Sequence, residues 1–428
     1  MYRTACNCFI LLLLFLFPPK VQPQIKPGPV SEAQTQTKAG EESGNYETRA
    51  QSIEAARDRK ARELQPDIPD KVERTLVYVK DQKVLERITA GIGGLRLKLG
   101  SLATGSGFAL GPEYFRRDLG DGNMVFRTSA VASLRGWYLA DVQFTMPKLA
   151  GNRVFLDLTS TLRNFGGINY YGQGPDSSKE GRSNYRLEDH SHVGTLAWTP
   201  RRHVKVGLTG GYLGVNIGPG TDTRFVSAER IFQPATTPGI DRQTDFLQGG
   251  GLLQYDWRDN PGGPRRGGNY YARYTYYLDR DLGRHDFRRL DAEVQQYIPF
   301  FNERRVIALR GKSVTTYTRA GQTVPFYLQP VLGGSDDLRG FRPFRFYDYN
   351  LLVFNAEYRW ETFSGLDMAL FADAGKVFTR HSQWNLRDLE ASYGVGMRFN
   401  VRNDVFMRID VGFSHEGYQV WLKFNNVF

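Results

Sequence analysis

The residue types that could do chemistry fall in no catalytic pattern along this 428-residue chain. His190 and His192 stand two apart, the spacing of neighbours on one face of a strand, where they could seat a metal or simply mark a strand end. Gly412-Phe413-Ser414-His415-Glu416-Gly417 lacks the spacing of a nucleophile elbow. The zinc motif H-E-x-x-H is missing. Gly91-Ile92-Gly93-Gly94 lacks the third glycine of a phosphate-cradling loop and reads as a flexible strand start. The only cysteines, Cys6 and Cys8, precede or sit within the N-terminal apolar stretch, so a chain processed after it holds no thiol nucleophile, disulfide or Cys-ligated zinc. No catalytic residue, metal site, cofactor or enzymatic activity is expected.

One segment is different. Residues 317–349 contain Leu332-Gly333-Gly334 and then Leu338-Arg339-Gly340-Phe341. An arginine between small and aromatic neighbours can reach through a narrow space and fork onto a carboxylate. Asp373 is available, because Phe371, Asp373 and Gly375 alternate with the apolar Leu370, Ala372 and Ala374. Glu357 is a second candidate, one strand earlier. The competing reading is an ordinary surface loop and an unrelated aspartate.

The elements that would position these groups are strands. Period-two alternation is clearest near the end of the chain. Leu352, Phe354, Ala356, Tyr358 and Trp360 share one face, opposite Val353, Asn355, Glu357 and Arg359. The same pattern recurs over 366–377, 393–401 and 405–413, with Arg398, Arg408 and Asp410 on the polar faces. Over 418–428 it sets Tyr418, Val420, Leu422, Phe424 and Phe428 against Gln419, Trp421, Lys423 and Asn425. Runs this long match tilted membrane-crossing strands rather than the shorter strands of soluble sheets. A soluble sandwich or propeller would also alternate, but would rarely keep Arg, Asp and Glu in mid-strand.

Counting back from the end places sixteen strands near 417–428, 404–414, 390–401, 366–378, 350–362, 303–316, 287–299, 268–280, 246–258, 203–216, 187–199, 151–165, 136–147, 123–134, 105–116 and 91–101. Short turns at Pro147–Gly151, Pro200–Arg202, Phe301–Asn302 and Arg402–Asn403 fall on one side. Long segments 166–186, 217–245, 317–349 and 379–389 fall on the other. This is the asymmetry of an outer-membrane barrel, with both chain ends on the periplasmic side. The fold expected is all-β: a transmembrane antiparallel β-barrel over 91–428.

Composition agrees. Mean hydropathy is −0.46, yet the chain has 28 Phe, 23 Tyr and 46 Gly. No stretch of about 18 apolar residues appears, so helical spans are excluded. Lipid-facing and lumen-facing residues cancel in any window of a barrel. The net charge of +11 comes from scattered arginines with no basic run, which argues against nucleic-acid binding. Residues 1–24, with an apolar core from Phe9 to Phe17, read as a secretory signal without a clear cleavage pattern. Residues 25–90 read as a periplasmic polar linker followed by short helices over 46–65 and about 71–88.

Taken together, LGG…LRGF, then FNAEYRW, FADAG, YGVGMRF and a terminal Phe resemble the BamA/TamA-type bacterial surface antigen family of sixteen-stranded barrels. Asp256-Trp257-Arg258-Asp259-Asn260-Pro261 followed by Gly267 looks like that family's turn after the eighth strand. The resemblance covers 246–428 by motif and 91–245 by strand count. It implies that the sixth extracellular loop folds into the lumen, with Leu338, Arg339, Gly340 and Phe341 docking on Phe371, Asp373 and Gly375. It implies a seam between first and last strands that opens laterally to assemble or pass polypeptides. Tyr418, Leu422, Phe424 and Phe428 resemble the C-terminal signal read by the barrel assembly machinery, although Asn426 breaks its alternation. The implied partners are outer-membrane lipids, that machinery and client polypeptides. The sequence departs from the family over 25–90, where no β-α-α-β-β pattern of a periplasmic POTRA domain can be traced. The expected function is insertion or translocation of polypeptide or lipid. The alternatives are a structural barrel or plugged pore and, last, an outer-membrane enzyme.

Overall fold

The computed structural model describes residues 91–401 and 404–428, together with Glu54. The signal, linker and helices expected over 1–90 lie outside the described residues, Glu54 apart, as does the turn Arg402–Asn403. Glu86–Phe428 forms one compact unit, and Glu54 belongs to the other.

Sixteen strands form a single antiparallel sheet in which each pairs with the next in sequence. They are β1 (Leu95–Gly100), β2 (Ala109–Leu119), β3 (Met124–Ser133), β4 (Tyr138–Lys148), β5 (Val154–Tyr170), β6 (Ser183–Trp198), β7 (Val204–Pro219) and β8 (Phe246–Asp256). The second half comprises β9 (Gly267–Asp279), β10 (Phe287–Phe300), β11 (Arg305–Thr318), β14 (Asn350–Phe363), β15 (Leu366–Phe378), β16 (Glu390–Val401), β17 (Asp404–Ser414) and β18 (Gly417–Lys423). Two short strands, β12 (Val331–Leu332) and β13 (Phe346–Tyr347), pair with each other inside the loop between β11 and β14.

Alternation decides the faces. On β14, Phe354 and Ala356 are exposed to the outside while Asn355, Glu357 and Arg359 are buried within. On β15, Leu370 and Ala372 point out while Phe371, Asp373 and Gly375 point in. Exposed Leu158, Leu162, Leu196, Leu208, Ile307 and Leu370 form part of an apolar outer belt. Trp198, Tyr255, Tyr270 and Phe363 ring its short-turn end, and Tyr138, Tyr393, Phe413 and Tyr418 ring the other. Such girdles mark the two interfaces of a membrane barrel.

The long connections gather over one mouth. Tyr170, Tyr185, Phe246, Phe287, Phe326 and Tyr347 pack there into a buried aromatic cluster. The strands β5, β6 and β7 run further into this dome than the alternation suggested, taking part of the expected loops 166–186 and 217–245.

Both ends of the sheet differ from expectation. The strand placed at 91–101 begins only at Leu95, because Gly91, Gly93 and Gly94 turn the chain with φ of 69°, 60° and 90°. The next strand starts at Ala109 rather than 105. The last strand stops at Lys423, not at the chain end. Phe428 therefore does not share the outward face of Tyr418 and Leu422. It turns inward, buried against Tyr297, Val306 and Ala308. The Arg310 and Arg359 guanidiniums lie 5.9 and 5.4 Å from its ring, and this cation–π pairing with apolar contact beneath holds it inside.

Candidate functional site

The loop between β11 and β14 descends into the lumen, and Arg339 at its tip is fully buried. Its Nε and Nη2 donate to the two oxygens of Asp373 at 2.9 and 2.6 Å, a bidentate fork. The Arg339 backbone N–H adds a third bond to Asp373 at 3.1 Å. Its Nη1 donates to Glu357. The guanidinium carbon lies 3.5 Å from the centre of the Phe371 ring, so one face of the cation is covered by a π-system. Both sequence candidates for the partner carboxylate are therefore used.

The residues around Arg339 explain why this tetrapeptide fits. Gly340 passes so close to β17 that a Cβ there would sit 2.5 Å from the Phe413 carbonyl oxygen and 2.7 Å from Ser392 Cβ. Any side chain would push the loop off the wall. Phe341 and Leu338 fill a dry pocket with Leu332, Phe346, Val353 and Val377. Gly375 sits opposite Val353 in the β14–β15 ladder, where a Cβ would fall 2.7 Å from the Leu352 carbonyl oxygen.

The lock is wider than the motif. Glu357 also accepts from Arg398 Nη2 at 2.9 Å and Arg359 Nε at 2.6 Å. Arg398 Nη1 and Arg408 Nη1 donate to the two oxygens of Asp410 at 2.5 and 2.6 Å. Arg408 Nη2 returns to the loop at Asp336, 2.6 Å away. Asn355 and Ser392 hold Asp373 at 2.9 and 3.2 Å. Trp421 Nε1 donates to the Arg339 carbonyl at 2.7 Å. The loop is thus fixed to β14, β15, β16, β17 and β18. Four guanidiniums (Arg339, Arg359, Arg398, Arg408) meet three buried carboxylates (Glu357, Asp373, Asp410) and the partly exposed Asp336, so the network as a whole is balanced in charge. Arg398, Arg408 and Asp410 were not singled out, although their polar-face positions carried the signal.

Two further features bound the lumen. The turn 257–266 crosses the opposite mouth: Arg265 Nη2 donates to both oxygens of Asp367 of β15 at 2.8 Å, and Asn260 donates to Asp404 of β17 at 2.9 Å. The seam is the second. Strands β1 and β18 are the two ends of the sheet and do not pair. Lys423 Nζ donates to Ser101 Oγ at 2.8 Å, and Phe424 packs edge-on to Phe108, tying the end of β18 to the β1–β2 connection. Tyr418 and Leu422 lie exposed on the outer face. A cavity of about 240 Å³ opens between Leu99, Gly100, Val131 and Lys423.

His190 and His192 sit side by side on β6, ring centres 5.9 Å apart, and His192 Nδ1 meets Ser160 Oγ at 2.9 Å on the outer face. Among the described residues no three His, Cys, Asp or Glu side chains converge on a metal position. The charged side chains of the lumen are arranged to clamp the loop to the barrel wall.

Solved structures share this architecture. BamA from Haemophilus ducreyi lacking POTRA domains 1–3 superposes with a TM-score of 0.57 at 14% identity, over 76% of this chain and 68% of that one. CdiB from Escherichia coli gives a TM-score of 0.54 at 13% identity, over 78% of this chain and 62% of that one, so the chain spans less than two thirds of CdiB. At such identities the likeness is one of fold. No curated protein matches at the sequence level. The Omp85 superfamily domain matches residues 122–415, more than half of the chain, and covers the LRGF loop, its aspartate and the charge network together: the chain belongs to the Omp85 superfamily, whose barrels are integral to the outer membrane.

Proposed function

We propose that this barrel inserts or translocates polypeptide, or lipid, at the outer membrane through the seam between β1 and β18. The carrying observation is the unpaired seam in an otherwise continuous ladder. Elsewhere, parting two strands would expose backbone N–H and C=O groups to hydrocarbon at several kcal/mol each. At the seam those groups have no ladder to lose. The LRGF loop holds the β14–β18 wall as a fixed jamb, and β1, six residues long and paired on one side only, yields. The short-turn side, where β1 starts and β18 ends, faces the periplasm. Tyr418, Leu422, Phe424 and Phe428 serve as the chain's own insertion signal, and client outer-membrane polypeptides are the partners.

A chain lacking Cys6 and Cys8 and carrying Gly100→Cys and Phe424→Cys tests the gate. A Cβ on Gly100 would lie 4.0 Å from the Phe424 Cβ, within disulfide reach. Oxidation should deplete client proteins from the outer membrane, and reductant should restore them. Normal outer-membrane protein levels with the seam cross-linked would falsify the gate.

One observation favours a second reading, a plugged pore: the aromatic dome and the inserted loop both obstruct the lumen. Depletion of the chain separates the two. Loss of other outer-membrane proteins supports insertion, whereas a change in small-solute permeability alone supports the pore.

A further inference from the structure

A pocket of about 240 Å³ lies at the long-loop end of the barrel, lined by three arginines and two tryptophans. Arg135 comes from the β3–β4 connection, Arg182 from the β5–β6 connection and Arg342 from the segment just past Phe341. Trp137 and Trp421 supply much of its apolar wall, and both are buried. No carboxylate lines it.

The three cations are not spent on one another's partners. Arg135 donates to the Gly105 carbonyl at 2.7 Å. Arg182 donates to the neutral Asn169 amide oxygen at 3.0 and 3.1 Å, and its guanidinium lies 3.8 Å from the Phe225 ring centre. The carboxylate whose charge acts on Arg182, Asp222, is already forked by Arg224 at 2.7 and 2.8 Å. Among the described residues none of the three arginines forms an ion pair. Burial pushes the Arg182 guanidinium below its ordinary value, and the like charge of Arg342 adds to the effect. The fully buried guanidiniums of the clamp, Arg339, Arg398 and Arg408, are each matched by an acid. Here like charges share one cavity, which is unfavourable until an anion enters.

We propose that this pocket binds an anionic sugar, a saccharide carrying a phosphate or carboxylate. The guanidiniums fork the anion, and the indole walls take the apolar face of the ring. Gln419 and Trp421 of β18 and Thr104 and Gly105 of the β1–β2 connection line it, so the pocket borders the seam, but anion binding there does not depend on the gating reading. The same chemistry is presented by a free sugar phosphate and by the headgroup of a phosphorylated glycolipid in the outer leaflet.

The test uses the full chain in detergent and in nanodiscs. Glucosamine 6-phosphate should give a saturable change in tryptophan fluorescence, and glucosamine should not. Arg182→Gln with Arg342→Gln should weaken binding at least about tenfold, the loss expected for charge-assisted bonds. Tighter binding in nanodiscs of diphosphorylated lipid A than of dephosphorylated lipid A assigns the site to the glycolipid. Binding of the free sugar alone assigns it to a soluble saccharide. Should the double variant fail to fold, the exposed Arg135→Gln carries the test, with weaker binding at unchanged heat resistance. Equal binding of glucosamine, equal binding of inorganic phosphate (an adventitious ion only), or unchanged affinity in a folded arginine variant overturns the proposal.

Discussion

The two walls that meet at the seam are built on different electrostatics. On the trailing wall, β14 to β18, Arg339, Glu357, Asp373, Arg408 and Asp410 have side chains with no exposure, knitted into one balanced network. On the leading wall, β1 to β4, Arg96, Lys98 and Arg127 are 29–32% exposed and share only Glu113 and Asp141. Three partly exposed cations share two buried carboxylates, and the surplus cation lets partners exchange at little cost. Lys98 already stands 3.5 Å from Asp141 and 3.9 Å from Glu113. Charge in a dry site fixes geometry, whereas the same charge in a wet one permits motion. The difference is what the proposed gate requires of a held wall and a moving one.

The largest effect should come from breaking the jamb. Arg339→Ala strands Asp373 as a buried, uncompensated charge and takes one of three cations from Glu357, which costs about 3–5 kcal/mol. Heat-dependent mobility of the folded barrel should shift to lower temperature, and protease should cut the loop 319–349. Wild-type heat resistance with a protected loop would show that the clamp does not hold the wall. Arg339→Lys keeps the charge but loses the fork and the Phe371 stacking. It should fall between alanine and wild type in the same measurement, and a lysine variant as weak as alanine would assign the effect to shape rather than to charge.

A smaller effect belongs to the link between clamp and seam. Trp421→Phe removes the single bond from β18 to the Arg339 carbonyl and leaves the ring in place. About 1–1.5 kcal/mol is expected, the worth of one hydrogen bond with its acceptor left buried. Hydrogen exchange should rise in β18 and not in β14. Uniform exchange along the whole wall would mean that β18 is not tied to the clamp through this residue.

How much of this contrast was legible differs between the walls. Strand count and faces follow from alternation, because a period-two pattern fixes which side chains share the lumen, whereas alternation only offered Asp373 as a partner and the family resemblance implied that Arg339 docks on it. Glu357 was visible from alternation in the same way. The extension of the lock to Arg398, Asp410 and Trp421 was not, since alternation gives a face but not which residues on different strands come level. That depends on register and stagger, which the sheet sets as a whole. At the ends of the sheet local signals misled. Glycines at 91–94 looked like strand and form a turn, and Phe428 continued an apolar alternation yet turned inward onto arginines of β11 and β14. An edge strand has one neighbour, so tertiary contacts outweigh pattern there.

The smallest effect should come from the leading wall. Lys98→Ala removes one of three cations facing Glu113 and Asp141, and loses a 2.9 Å bond to Ser129. Arg96, bonded to Glu113 at 2.5 Å, and Arg127, at 3.1 Å from Asp141, remain to balance the acids. The cost should stay within about 1 kcal/mol, the range of exposed pairs. Melting in low and high salt checks this, because a partly exposed network is screened more than a dry one. Raising the salt should shrink the already small difference between Lys98→Ala and wild type, and should leave the Arg339→Ala deficit intact. A Lys98→Ala loss as large and as salt-resistant as that of Arg339→Ala would put both walls in the same regime, and the asymmetry between a held wall and a yielding one would have to be abandoned.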